Sequence, residues 1–214
     1  MNLDLRTQML SGLVIYATLA FLAYEVYRKN RETVPCTFCW FAAFVSFTVG
    51  AAALALRGVI PTTLSILISN PALFGGYSLY LVAGAELSGR RSPRRALAAA
   101  AVLFFLVFSF FIFVVPSLPV RSAMITGAIV VLSAISAYQL GRPRDAERAG
   151  GVKTVAAVFA LLSLLHLLRL ALILTVDVRP EFLAAPYWDV LFFLIGTALM
   201  VALKIGRASC RGRV

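Results

Sequence analysis

The chain reads as an all-α integral membrane bundle of seven transmembrane helices, with the N-terminus outside and the C-terminus in the cytoplasm. Three observations predict this. Hydrophobic residues fill 61% of the 214 positions and charged residues only 14%, far from the composition of soluble domains. The apolar residues fall into seven runs of about 20, the length a bilayer core of ~30 Å demands of a helix. The basic residues gather in alternate gaps between those runs.

The first span is expected at 9–27. The residues before it carry Asp4 and Arg6 but no basic n-region, and no small-residue cleavage site follows, so a removable signal peptide is not expected. The second, 36–56, runs from Cys36 to Leu56 and stops at the connection Arg57–Pro61. The third, 62–85, holds Asn70-Pro71 and the pair Gly75-Gly76. The fourth, 96–115, follows the arginines 90–95, and its phenylalanine-rich run Phe104–Phe113 reads as lipid-facing bulk. The fifth, 122–140, lies between Arg121 and Arg142. The sixth, 152–176, ends at an outer loop, 177–188, with Pro180, Pro186 and the pair Tyr187-Trp188. Aromatic residues of that kind sit at the headgroup level. The seventh, 189–203, ends at Lys204.

The charges orient the bundle. Arg28, Lys29, Arg31, Arg90, Arg91, Arg94, Arg95, Arg142, Arg144, Arg148, Lys153 and Lys204 make twelve basic residues on one side. Arg6, Arg57, Arg121 and Arg179 make four on the other. Lys and Arg are retained on the cytoplasmic face, so the richer side is inside. The same rule accounts for the net charge of +11. No aromatic platform for bases interleaves the basic residues, so nucleic acid is not an expected partner; the lipid bilayer is. The outer connections are too short to hold a ligand-binding domain. Seven spans do not divide into the paired halves common among transporters.

Three polar side chains stand inside the apolar runs. Arg169 lies ~10 Å inside the outer end of the sixth span at 1.5 Å per residue. His166 is one turn away on the same face. Asn70 precedes Pro71, which frees a carbonyl and bends the third span. A charge at such depth costs several kcal/mol without a partner or a watery cavity. One reading makes Asn70, His166 and Arg169 an outward-facing pocket for a small anionic or carbonyl-bearing ligand. The default reading is that they hydrogen-bond helices together, or that Arg169 snorkels outward.

Other chemistries lack their residues. A retinal Schiff base needs a lysine at mid-bilayer, and Lys29, Lys153 and Lys204 all stand at cytoplasmic ends. Cys36-x-x-Cys39 has neither the βαβ setting of a thioredoxin-like site nor the extra ligands of a zinc site. Helix packing, or palmitoylated thiols, fits these two better. Glu25 and Glu86 are expected in interfacial ion pairs with Arg28 and the Arg90 cluster. Paired carboxylates, a Ser/His/Asp set, a metal cluster and a phosphate-binding glycine loop are not found. No catalytic, metal or cofactor-binding residue is assigned.

After Lys204 the apolar composition stops. The segment 205–214 resembles a translated sequencing adapter, differing only at Gly212, where the adapter encodes Glu. It is therefore read as artefactual, with the natural gene continuing past residue 204. A genuine basic juxtamembrane tail is the alternative.

The ordered set Trp40, Gly50, Leu56-Arg57-Gly58-Val59-Ile60-Pro61, Leu64-Ser65-Ile66, Asn70, Gly75, Gly89-Arg90-Arg91, Arg121-Ser122 and His166-Leu167-Leu168-Arg169 resembles the N-terminal multi-span sensor region of bacterial GGDEF-type diguanylate cyclases. The resemblance covers 1–204. It implies a sensor domain in the bacterial inner membrane, working as a homodimer. Such a sensor passes its state through the last helix to a cytoplasmic domain that makes cyclic di-GMP from two GTP. That domain's motif does not occur in this chain, so no catalytic residue carries over and the chain itself is not expected to be an enzyme. Two alternatives stay open: the sensor region of a histidine kinase, and a self-contained small-molecule transporter.

Overall fold

The computed structural model describes residues 5–32, 36–143, 149–175 and 195. Six helices account for nearly all of them: α1 (Leu5–Asn30), α2 (Thr37–Ala55), α3 (Thr62–Leu87), α4 (Arg94–Phe113), α5 (Leu118–Gly141) and α6 (Ala149–Thr175). Each is long and apolar enough to cross a membrane, which gives a multi-pass architecture. They correspond to the first six expected spans. The seventh span, 189–203, the aromatic pair 187–188 and the segment 205–214 lie outside the described residues.

The breaks between helices follow local chemistry. Gly58 (φ 90°) and Gly89 (φ 68°) take left-handed conformations that cost any other residue a Cβ clash. They turn the chain after α2 and α3. Ser117 caps α5, its hydroxyl accepting from the Val120 N–H at 3.5 Å, with Pro119 in the first turn. This cap starts α5 at Leu118, four residues before the expected edge at 122. Sequence hydropathy places the edge at the last charge, Arg121, whereas the backbone starts helix where its free N–H groups find an acceptor.

Helices α2 and α3 form the centre of the bundle; α1 lies on α2, and α5 and α6 pair with each other. In lipid no hydrophobic force drives helices together, so close fit and hydrogen bonds must do it. At the α2–α3 seam a Cβ on Gly50 would touch Ala72 and the Ser69 carbonyl at 3.4 Å. The Ser46 hydroxyl donates to the Ala72 carbonyl at 2.6 Å. The Phe47 ring lies flat against Gly76, where a Cβ would come within 2.6 Å of it. Ser163 of α6 donates to the Val130 carbonyl of α5 at 3.1 Å.

Charged loops meet at two opposite ends. Arg90, after α3, donates through Nη2 to the Arg142 carbonyl at the end of α5 (3.1 Å). Both guanidinium groups lie over the Tyr138 ring, at 6.0 and 4.8 Å from its centroid. At the other end the Arg121 charge acts on Arg57.

The outer surface is apolar along whole helices. Val102, Leu103, Leu106, Val107, Phe110 and Phe113 of α4 are exposed, as are Leu161, Leu164, Leu167, Leu168 and Leu174 of α6. Soluble monomers rarely leave so many large apolar side chains open to water on neighbouring turns of a helix. The phenylalanine-rich run is only half lipid-facing, however. Phe108 and Ile112 are buried with Ile66, and Phe104 stacks on Phe74 at 4.9 Å. A helix has two sides, and the run is long enough to cover both.

Gly76→Ala is expected to destabilise the bundle by about 1–3 kcal/mol, because the Phe47 ring must leave its site. Gly141→Ala, which meets nothing within 4 Å, is expected to be neutral or slightly stabilising. Thermal unfolding of both variants in detergent checks the contrast.

Candidate functional site

The core of the bundle is a continuous aromatic stack. Tyr80 of α3 is fully buried and contacts Trp40 (4.8 Å), Phe47 (5.3 Å), Phe159 (5.5 Å) and Phe44 (5.7 Å). Three helices, α2, α3 and α6, thus converge on one ring. One turn along α3, Tyr77 meets Phe47 edge-on at 5.1 Å and His166 of α6 edge-on at 6.1 Å. The stack ends there in polar chemistry.

His166 turns its Nδ1 to the Leu162 carbonyl of its own helix at 2.9 Å. Arg169, one turn further on along the same helix, is half-buried. Tyr16 of α1 reaches the same series of rings through α2, its own ring lying 5.7 Å from that of Phe47. Ring contacts therefore run from Tyr16 through Phe47 and Tyr77 to His166, with Arg169 one turn beyond on α6.

Asn70 stands apart from that group. It lies two turns from Tyr77 along α3, ~10 Å at 1.5 Å per residue. Its amide donates to the Ile66 carbonyl at 2.9 Å and to the Ser69 hydroxyl at 3.5 Å. Among the described residues no hydrogen bond or ring contact joins it to His166 or Arg169. Its place beside Pro71 explains the local bond. Proline removes the N–H that the Leu67 carbonyl would accept, and Asn70 strengthens the preceding turn.

Arg57 carries more structure than an outer-loop charge suggests. It is only 8% exposed, and its Nε donates to the Ser65 hydroxyl at 3.2 Å. Ser65 in turn donates to the Ala53 carbonyl at 2.7 Å, so the side chain ties the end of α2 to the start of α3. Burial, and then the neighbouring Arg121 charge, lower the pKa of the Arg57 guanidinium to about 10. It remains protonated at neutral pH.

The remaining polar residues take ordinary places. Cys36 and Cys39 are buried in the main core, which fits packing better than an acylated surface thiol. Glu25 pairs with Arg28 at 3.0 Å, and Glu86 with Arg94 at 2.7 Å. Among the described residues no group of three or more His, Cys, Asp or Glu comes together to hold a metal.

No family model, curated protein or solved structure matches this chain.

Tyr77 and Tyr16 were not singled out from sequence, although a signal existed for the first. Tyr77 lies seven residues after Asn70, on the same face of an otherwise apolar run. A tyrosine in such a run ordinarily reads as interfacial or as core.

A double-mutant cycle between Tyr77→Leu and His166→Leu is expected to give a coupling of about 0.5–1.5 kcal/mol, the value of an edge-to-face ring pair. A coupling near zero in thermal unfolding would mean that the rings are neighbours without interaction.

Proposed function

We propose that this chain is the membrane-embedded sensing and transducing region of a bacterial diguanylate cyclase, cut short before the catalytic domain. The polar group Tyr16, Tyr77, His166 and Arg169 supports this reading most directly. It joins three helices inside the apolar zone, where each polar atom is costly to keep. Such a group responds to what enters or leaves the bundle. Its donors suit a small anionic or carbonyl-bearing ligand that slips between helices, with Arg169 as the charge and the two tyrosine hydroxyls as directional partners.

In this reading the segregation of basic residues orients the protein, with the N-terminus outside, seven crossings and the C-terminus in the cytoplasm of a bacterial inner membrane. A ligand bound at Arg169 shifts α6 against the rigid Tyr80 stack. The last span carries that small displacement to the output domain, or changes contacts in a dimer. The chain itself performs no chemistry; its partners are the bilayer, a small-molecule or membrane-state signal and a second copy.

A transporter reading has one observation in its favour. Pro71 interrupts the hydrogen bonding of α3 ~9 Å along the helix from Tyr77, and broken helices are a feature of transporter binding sites.

The genomic sequence beyond codon 204 tests these readings. A GGDEF motif within the next two hundred or so codons is expected. A histidine kinase there would assign a different output, and an immediate stop codon would leave the transporter. Topology is tested separately: alkaline phosphatase fused after Val59 or Ser117 is expected to be active, and inactive when fused after Arg91. The reverse pattern would sink the proposed orientation.

A further inference from the structure

The connection from α3 into α4 is the most basic short stretch among the described residues, and it opens onto an apolar groove. Arg90, Arg91, Arg94 and Arg95 fall within it. Among the described residues one ion pair reaches these four, that of Glu86 with Arg94 (2.7 Å). The Arg90 Nε and the Ser92 hydroxyl are buried and have no hydrogen-bond partner among the described residues. Helix α4 then begins at Pro93 without a side-chain cap and without an acidic residue in its first turn. Its free N–H groups add to the positive potential there.

From Arg94 a groove of about 320 Å³ runs between α3 and α4. Its walls are Ser78, Leu79 and Val82 on one side and Leu97, Ala98 and Ala101 on the other, and it ends at Phe74 and Phe105. The small residues of α4 make this space: Ala98 and Ala101 line the groove, whereas Phe104, Phe105 and Phe108 further along fill the space against α3. From Arg94 to Phe105 the groove is ~16 Å long at 1.5 Å rise per residue. That is the length of most of a fatty acyl chain, and it starts at a cluster of guanidinium groups.

We infer that this groove is a binding site for an anionic glycerophospholipid, with one acyl chain between α3 and α4 and the phosphate at the arginines 90–95. Two features fit one molecule: the apolar walls suit the chain, and the excess positive charge at the mouth suits the headgroup. A neutral lipid would satisfy only the first. A basic site between transmembrane helices at the membrane surface is the setting in which anionic headgroups are held. The inference does not depend on the sensor reading, since it uses neither His166 nor Arg169.

The test uses the full chain purified in detergent, with lipid retention read by native mass spectrometry and stability by thermal unfolding. The probes are phosphatidylglycerol, phosphatidylcholine with identical chains, and soluble glycerol phosphate. Phosphatidylglycerol is expected to be retained and to raise the melting temperature; the other two are expected to do neither to a comparable degree. The double variant Arg91→Gln/Arg95→Gln changes exposed side chains and leaves the Glu86–Arg94 pair intact. At roughly fivefold per arginine, it should weaken phosphatidylglycerol binding by about thirty-fold. Ala98→Phe, on the exposed side of α4, should fill the groove and abolish retention; should it fail to fold, Ala98→Leu takes its place. Equal retention of both lipids would overturn the inference. So would an equal effect of glycerol phosphate, or retention unchanged in the groove-filling variant.

Discussion

Helix α3 can lie against α2 only because Gly76 has no side chain where the Phe47 ring rests. Every other feature of the interior depends on that approach. It brings Tyr77 and Tyr80 into edge-on and tilted contact with Phe47 and Trp40, and so creates the surface on which Phe159 and His166 of α6 seat. Without a hydrophobic driving force in lipid, a gap of one methyl group at this seam would have no compensating term. The Ser46–Ala72 and Ser163–Val130 bonds then act as local pins, each satisfying a hydroxyl that hydrocarbon could not.

Polar groups in this bundle are arranged by cost. Where a helix can satisfy a side chain from its own backbone it does so, as Asn70 does with Ile66 and Ser136 with Leu132. Such groups are cheap and carry little information. Tyr16, Tyr77 and His166 differ, because ring contacts link them across α1, α2, α3 and α6.

The first six spans were legible because hydropathy and length both report on a bilayer. The starts of α1 and α5 each fall four residues before expectation; at α5 the Ser117 cap overrides the position of Arg121. The pairing of His166 with Arg169 followed from helical spacing alone. Asn70 shares a face of α3 with Tyr77 but lies two turns away along it, and its amide is bonded locally to the Ile66 carbonyl; counting residues inward from an expected span end does not fix which levels of two helices meet. Arg57 shows the same limit: a loop arginine in sequence, it is buried once Ser65 offers it a partner.

What the sequence by itself determined is where the first six apolar runs lie along the chain and how basic residues divide between alternate connections. These are one-dimensional properties, set by bilayer thickness and by the cost of moving charge across it. Only the tertiary structure decided which face of each helix is inward. A span that is apolar all round has no polar side to mark its outside, so the periodicity that reveals a core in soluble proteins is silent here. The joining of Tyr77 to His166, the seating of Phe47 on Gly76 and the groove beside Ala98 all arise from shape and close packing between segments far apart in the chain.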